Sequence, residues 1–409
     1  MIISLEWLKD FVDIEESPQE LSNILSNIGL ESEIAATTTE IRGIVISKVE
    51  STEKHPNADK LKICMVNDGD KLHQVICGAP NVKAGQIVPF AKIGSTLPGD
   101  FKIKKVKIRG VESNGMICSE RELRVSDQHE GIMILPNNLK LGADFKSSYG
   151  YKFHSLELDI TPNRADAFSH YGVARDIACA TERKLQKKEI KNISSPNGFS
   201  LPVLSENIED CPRYVGGVVE NIKVGPSPDW LVEKLKSAGH RSINNVVDIS
   251  NYVLLEIGHP THIFDYGKIH CKEIVVRRAK QNEPLTTLDG QNFKLNEKHL
   301  LITDGADPLA LAGIMGGKKS AISGETTEVF VESAYFNPTT IRIASKDLSL
   351  STDASKIYER GADPNGCLIA FCQIVSMLES ICGGRLVSNI FDFYPNQIQE
   401  TKVQLRYSK

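Results

Sequence analysis

Between Lys83 and Arg109 the chain carries seven basic side chains against a single acid, Asp100. Five of them, Lys102, Lys104, Lys105, Lys107 and Arg109, interleave with Phe101, Ile103, Val106 and Ile108. A strand alternates its side chains between two faces, so such a segment lines cations along one surface, where they can neutralise phosphates. Phe101 is the one aromatic in the ribbon, which favours backbone contact over stacking on bases. The apolar positions change from odd to even across Lys104-Lys105, and that shift predicts a bulge or turn. A net charge of -4 over 409 residues excludes a globally basic nucleic-acid binder; the positive charge belongs to one module.

Other reactive groups are less organised. The nine cysteines are scattered, with no Cys-x-x-Cys pair or comparable ligand spacing, and read as buried thiols, not disulfides or metal ligands. His262 can titrate near neutrality, but a lone histidine does not define a catalytic base. Three segments flank the basic ribbon: His55-Pro56-Asn57-Ala58-Asp59-Lys60-Leu61, Ile76-Cys77-Gly78-Ala79-Pro80-Asn81-Val82, and Gly110-Val111-Glu112-Ser113-Asn114-Gly115-Met116-Ile117-Cys118-Ser119. By composition they are turns.

The elements that must position these groups fall into several units, as the length requires. Leu5, Leu8, Phe11 and Val12 have helical spacing behind Ser4. A second helix begins at Ser17-Pro18, places Leu21, Ile24, Leu25 and Ile28 along one face, and stops at Gly29. From Ile41 to about Pro136 short strands such as Gly43–Val49, Leu61–Val66 and Gln86–Ala91 predict a small all-β barrel or sandwich. Helical character returns at Ser169–Ala180, where Val173, Ile177 and Ala180 could cover the first two helices, so the β module reads as an insertion in an α-rich domain. A polar linker ends near Gly198. A mixed α/β region then includes strand-like Glu273–Arg278, Leu300–Thr303 and Val329–Glu332 and helix-like Ile369–Leu378. The N-terminus has neither a basic n-region nor an uninterrupted apolar stretch, and no run is long enough to span a membrane; a cytoplasmic protein is expected. The last residues are too few to bury a core, which suggests an end inside a further domain.

The three segments of the β module match, in order and spacing, the tRNA-binding oligonucleotide-binding fold of several tRNA synthetases and their accessory proteins. Leu156-Glu157-Leu158-Asp159-Ile160-Thr161-Pro162-Asn163-Arg164-Ala165-Asp166 resembles the stretch after that inserted barrel in the bacterial phenylalanyl-tRNA synthetase beta subunit. Five further segments resemble its editing domain: Ile243–Val253, Gly258–Asp265, Ala310–Gly317, Val331–Pro338 and Ser351–Ser355. The resemblance runs from Met1 to about Asn396. It implies a multidomain α+β protein: a discontinuous N-terminal domain (1–39 with 151–193), the barrel (40–150), a larger mixed α/β editing domain (200–396) and the start of another domain (397–409).

That resemblance also implies a function. The barrel would bind phenylalanine tRNA through Lys102, Lys104, Lys105, Lys107 and Arg109, and the third domain would hydrolyse tyrosine mischarged onto that tRNA. An apolar synthetic pocket rejects an added hydroxyl poorly, so errors need a second site. Glu332 would read the tyrosine hydroxyl, Ala312 and Gly313 would leave room for its ring, and His262, Ser250 and Asn251 would surround the aminoacyl ester. Ser250 stands where the family usually has threonine, His259 where glutamine is common, and Ile357 where arginine is common. The alpha subunit is the implied partner. ATP and magnesium belong to the full synthetase, with no cofactor or metal expected in this chain. The alternative is a non-catalytic tRNA-binding or assembly module with an inactive editing pocket.

Overall fold

The computed structural model describes residues 1–35, 41–98, 101–123, 131–150, 155–187, 193–196, 198–399 and 402–406. Ser4 ends β1 (Ile2–Ser4) and caps α1 (Leu5–Leu8), its hydroxyl accepting the Trp7 N–H. The helix expected through Val12 stops after one turn, yet Phe11 and Val12 are still buried in the loop that follows. Ser17 and Glu20 cap α2 (Pro18–Asn27) reciprocally, and Pro18 sits where its missing N–H is harmless. Leu21 and Leu25 of the predicted face are buried, whereas Ile28 is exposed beside Gly29 at φ +90°. Strand β2 (Glu31–Ile34) closes this unit.

The β module consists of β3 (Arg42–Lys54), β4 (Lys62–Asn67), β5 (Leu72–Cys77), β6 (Ile87–Leu97), β7 (Phe101–Lys102), β8 (Val106–Ile108), β9 (Val111–Ser113) and β10 (Gly115–Ile117). Its main sheet has the order β10-β6-β3-β4-β5, with β7 on β6 and a separate β8-β9 hairpin. The Asn114 N–H donates to the Gln74 carbonyl at 2.8 Å, so the two ends of that order come back to one another. The parity shift corresponds to a break: the ribbon stays bonded to β6 through Ile103, leaves it at Lys104-Lys105 and resumes at Val106 with a different partner.

Strand β11 (Ser155–Asp159) then pairs between β1 and β2, so the segment containing β3–β10 leaves and re-enters one three-stranded antiparallel sheet. Helix α3 (His170–Ala180) buries Val173, Ala174, Ile177 and Ala178, but leaves Ala180 exposed.

The remaining elements are β12 (Val203–Ser205), β13 (Arg213–Glu220), α4 (Asp229–Ser237), α5 (Asn245–Ile257), β14 (Thr261–Asp265), β15 (Ile274–Arg278), β16 (Glu283–Thr286), β17 (Asn292–Leu295), β18 (Leu300–Thr303), β19 (Pro308–Leu311), β20 (Met315–Gly316), β21 (Val329–Tyr335), α6 (Pro338–Asp347), α7 (Asp353–Tyr358), α8 (Gly366–Cys382), β22 (Arg385–Leu386) and β23 (Phe391–Phe393). One sheet runs β12-β15-β18-β19-β20, another β14-β21-β13-β22 with β23 also on β13, and β16 and β17 form a hairpin.

The β14-β21-β13 sheet is covered on both faces, which is why its strands read as nearly continuous apolar runs. Val215, Val219, Ile263, Val329 and Val331 face α5, α8 and the N-terminal unit in one core. Tyr214, Val218, Phe264, Phe330 and Ala334 face the five-stranded sheet in a second. The first core crosses the boundary expected near Leu201: Trp7 stacks between His170 and Tyr252, at centroid distances of 4.0 and 4.9 Å. Seven cysteines are buried as expected, but Cys179 and Cys271 are exposed. Among the described residues no helix is long and apolar enough to cross a membrane.

Candidate functional site

Strand register assembles the site. His262 on β14 lies directly opposite Glu332 on β21, and Glu332 lies opposite Gly216 on β13. By the two-residue period, Glu332 shares its face with Phe330 and Ala334, the face that looks toward the five-stranded sheet. Between those layers is a cavity of about 200 Å³ whose walls include His262, Leu288, Gly313, Gly316, Glu332 and Tyr358. This is below the roughly 300–1,000 Å³ of a typical small-molecule pocket, a scale that suits one side chain better than a nucleotide.

Glu332 is buried, and its Oε2 accepts the Tyr214 hydroxyl at 2.8 Å. Burial pushes its carboxyl up to about 8, although the Tyr214 hydrogen bond acts in the opposite direction. At neutral pH the group is therefore mostly an uncharged acid, able to donate one hydrogen bond as well as accept. Burial, followed by the adjacent Glu332, holds the Tyr214 phenol well above its ordinary range, so it stays a donor.

His262 is partly accessible, with its ring edge-on to Phe264 at 4.4 Å. Desolvation lowers it to about 4, leaving a neutral imidazole at pH 7 that can accept a proton or orient water. Gly316 makes this placement possible, because a Cβ there would meet the His262 Nε2 at 2.7 Å. Gly313 has φ +66°, and a Cβ would meet Ile341 and Phe336 at 2.9 and 3.0 Å; backbone conformation and packing both require glycine. The Tyr358 hydroxyl lies 2.9 Å from the carbonyls of Pro260 and Ala334, tying α7 to both strands of the site.

The cavity thus brings together His262, Glu332 and Gly313 of the residues singled out from the sequence. Ala312 is 1% exposed within the core and is not among the lining residues. Ser250, on α5, places its Oγ 3.0 Å from Thr261 Oγ1 and 3.2 Å from the Thr261 carbonyl; like Asn251 it stands outside the cavity wall. Sequence reasoning missed Tyr214, Tyr358, Leu288 and Gly316. The β13 run Tyr214-Val215-Gly216-Gly217-Val218-Val219 had a readable strand signal, masked by its glycine pair. No group of three His, Cys, Asp or Glu able to hold a metal occurs among the described residues.

In the β module, Lys102, Lys104, Lys105, Lys107 and Arg109 are all exposed. Lys105 is paired with Glu112 at 2.8 Å, whereas the other four have no ion pair among the described residues. The hairpin carrying Lys107 and Arg109 is fixed from outside: His55 Nε2 lies 3.1 Å from the Ile108 carbonyl, and Asn57 donates to the Arg109 carbonyl at 3.1 Å. Asn81 joins the Ile132 backbone through two hydrogen bonds, and Ser113 accepts the Ile76 N–H. The polar residues of the three turn segments thus hold the module together.

A family model described as a putative tRNA binding domain matches residues 44–144, and one described as a B3/4 domain matches residues 210–383. The phenylalanine-tRNA ligase beta subunit of Geobacter metallireducens is 46% identical over 409 residues, covering 99% of this chain and 51% of that protein. Its counterpart in Geobacillus kaustophilus is 44% identical over 403 residues, covering 96% and 50%. A solved N-terminal fragment of the phenylalanyl-tRNA synthetase beta subunit from Pyrococcus horikoshii is 20% identical, covers 49% of this chain and 62% of that one, and has a TM-score of 0.26, too low to bear on the site. The chain spans about half the length of the curated relatives it matches. Over that span, with identity extending through both matched domains and the segments between them, the chain belongs to the family of phenylalanine-tRNA ligase beta subunits.

Proposed function

We propose that this chain binds phenylalanine tRNA and removes tyrosine mischarged onto it, in support of a ligase completed by an alpha subunit. The observation that carries this reading is the adjacency of Glu332 and His262 across two strands in the wall of one cavity. An incoming tyrosine ring would lie among the apolar walls with its hydroxyl at Glu332. Phenylalanine would leave the second carboxyl oxygen of Glu332, the one Tyr214 does not engage, without a partner, a penalty of about 1–3 kcal/mol. The neutral His262 would orient or deprotonate water at the ester, with the ribose hydroxyl of the tRNA contributing by position.

Ser250 then acts through Thr261, a wall residue, and Ala312 acts by keeping the layer behind the wall thin. Asn251 retains its proposed place near the ester only if the bound tRNA end extends beyond the cavity. The β module, with its sheet ends joined, is read as an oligonucleotide-binding barrel inserted between residues 1–39 and 151–193, followed by an editing domain at 200–396 and a further domain beginning at 397.

The direct test is incubation with tyrosyl- and phenylalanyl-charged phenylalanine tRNA. Selective release of tyrosine, with selectivity lost in Glu332→Ala, supports the assignment. Binding without release would leave a non-catalytic tRNA-binding module.

A further inference from the structure

We infer that Tyr214 is a positioning residue for tyrosine recognition: it anchors Glu332 Oε2 and so presents Oε1 to a phenolic hydroxyl in the cavity. The inference rests on the reading of Glu332 given above. Tyr214 does not line the cavity, but it shares the relevant sheet face and its phenol reaches Glu332 at 2.8 Å. Register explains the reach. Glu332 lies opposite Gly216, which has no side chain, and Tyr214 lies opposite Ala334, which has a small one. The phenol can therefore lean diagonally across the strand pair toward the acid. A Cβ on Gly216 would meet Phe330 Cζ at 2.5 Å, so packing against Phe330 also keeps that position free of a side chain.

A glutamate's terminal torsion is broad and roughly two-fold, so an unanchored carboxyl in an apolar wall has no fixed donor or acceptor direction. Tyr214 removes that freedom. Its phenol remains a donor at neutral pH, so Oε2 is committed as an acceptor. Oε1 accepts no hydrogen bond among the described residues and, on a neutral acid, carries the proton it can offer to the ligand oxygen.

The test is a double-mutant cycle in the ligase carrying this chain, using Tyr214→Phe in the native and Glu332→Ala backgrounds. The quantity read is the ratio of kcat/KM for tyrosyl over phenylalanyl ester hydrolysis, taken on one preparation so that any unfolded fraction divides out. In the native background Tyr214→Phe should lower the ratio about tenfold, the loss expected for one hydrogen bond, mainly through KM for the tyrosyl ester. In the Glu332→Ala background it should leave the ratio unchanged. An unchanged ratio in the native background, equal falls in both backgrounds, or equal loss of both esters would overturn the inference and leave Tyr214 a structural partner only. If Glu332→Ala itself leaves the native ratio intact, the parent reading of Glu332 fails, an outcome distinct from failure of the Tyr214 step alone.

Discussion

At the scale of single residues, the site depends as much on missing side chains as on present ones. Gly316 is the clearest case, because the His262 ring occupies the space that a Cβ would need. Gly316→Ala should displace the imidazole and lower tyrosyl-tRNA hydrolysis by at least about tenfold, as misplacement of a reacting group does. Protein stability should fall by no more than about 1–3 kcal/mol, the usual range for overpacking. Rate and urea unfolding measured on the same variant check this; a fully active Gly316→Ala would separate His262 from the chemistry. Some of this was legible in advance. Resemblance singled out Glu332, His262 and Gly313, and strand periodicity puts Glu332 and Phe330 on one face. The contributions of Tyr214 and Gly316 depend on which strands become neighbours, and one strand's spacing does not encode that. Ala312 shows the converse: smallness in a motif was read as space for a ligand ring, whereas its side chain packs in the core behind the wall.

At the scale of elements, the sequence was most legible where local chemistry decides. The Ser17-Pro18-Glu20 start, the Gly29 stop and the break at Lys104-Lys105 follow from capping, backbone freedom and strand parity. It was least legible where distant pairing decides: the helix expected through Val12 ends early because Phe11 and Val12 find burial without helical geometry. The basic ribbon shows the same contrast, since charge count alone treats its five cations as equivalent. In the fold, Lys105 faces Glu112 at 2.8 Å, so its charge is already balanced in part. Lys104→Ala should therefore weaken tRNA binding and reduce the slope of log affinity against log salt by about 1, whereas Lys105→Ala should change it less. Glu112→Gln, which frees Lys105, should strengthen binding at low salt. Filter binding across a salt series distinguishes the three, and equal slopes for both lysine variants would remove the ion pair from the account.

At the scale of the whole molecule, the N-terminal unit and the region beyond Leu201 share one core, so titration of groups buried in either part bears on the stability of both. Desolvation lowers four histidines: His170 to about 3, fixed between the Ser4 N–H and the Leu255 carbonyl, His259 and His262 to about 4, and His240 in the same direction. Their folded values lie below the unfolded value, so the unfolded chain binds the extra protons, and stability is lost as pH falls from about 6.5 toward 4. Glu332 has the opposite sign. Its folded value of about 8 lies above the unfolded one, so the folded state binds the extra proton between these values and stability rises as pH falls through that window. From pH 7 to pH 5 His170, His259 and His262 should each cost about 2 kcal/mol while Glu332 returns roughly 2–3, a net loss of about 3 kcal/mol from these four groups, with His240 adding in the direction of loss. Glu332→Gln keeps an acceptor for Tyr214 but removes the titration, so its loss over the same interval should approach about 5–6 kcal/mol. Urea unfolding at the two pH values measures both slopes. A native protein equally stable at pH 7 and pH 5, or a Glu332→Gln variant that loses no more than the native one, would contradict a neutral acid buried opposite a neutral imidazole.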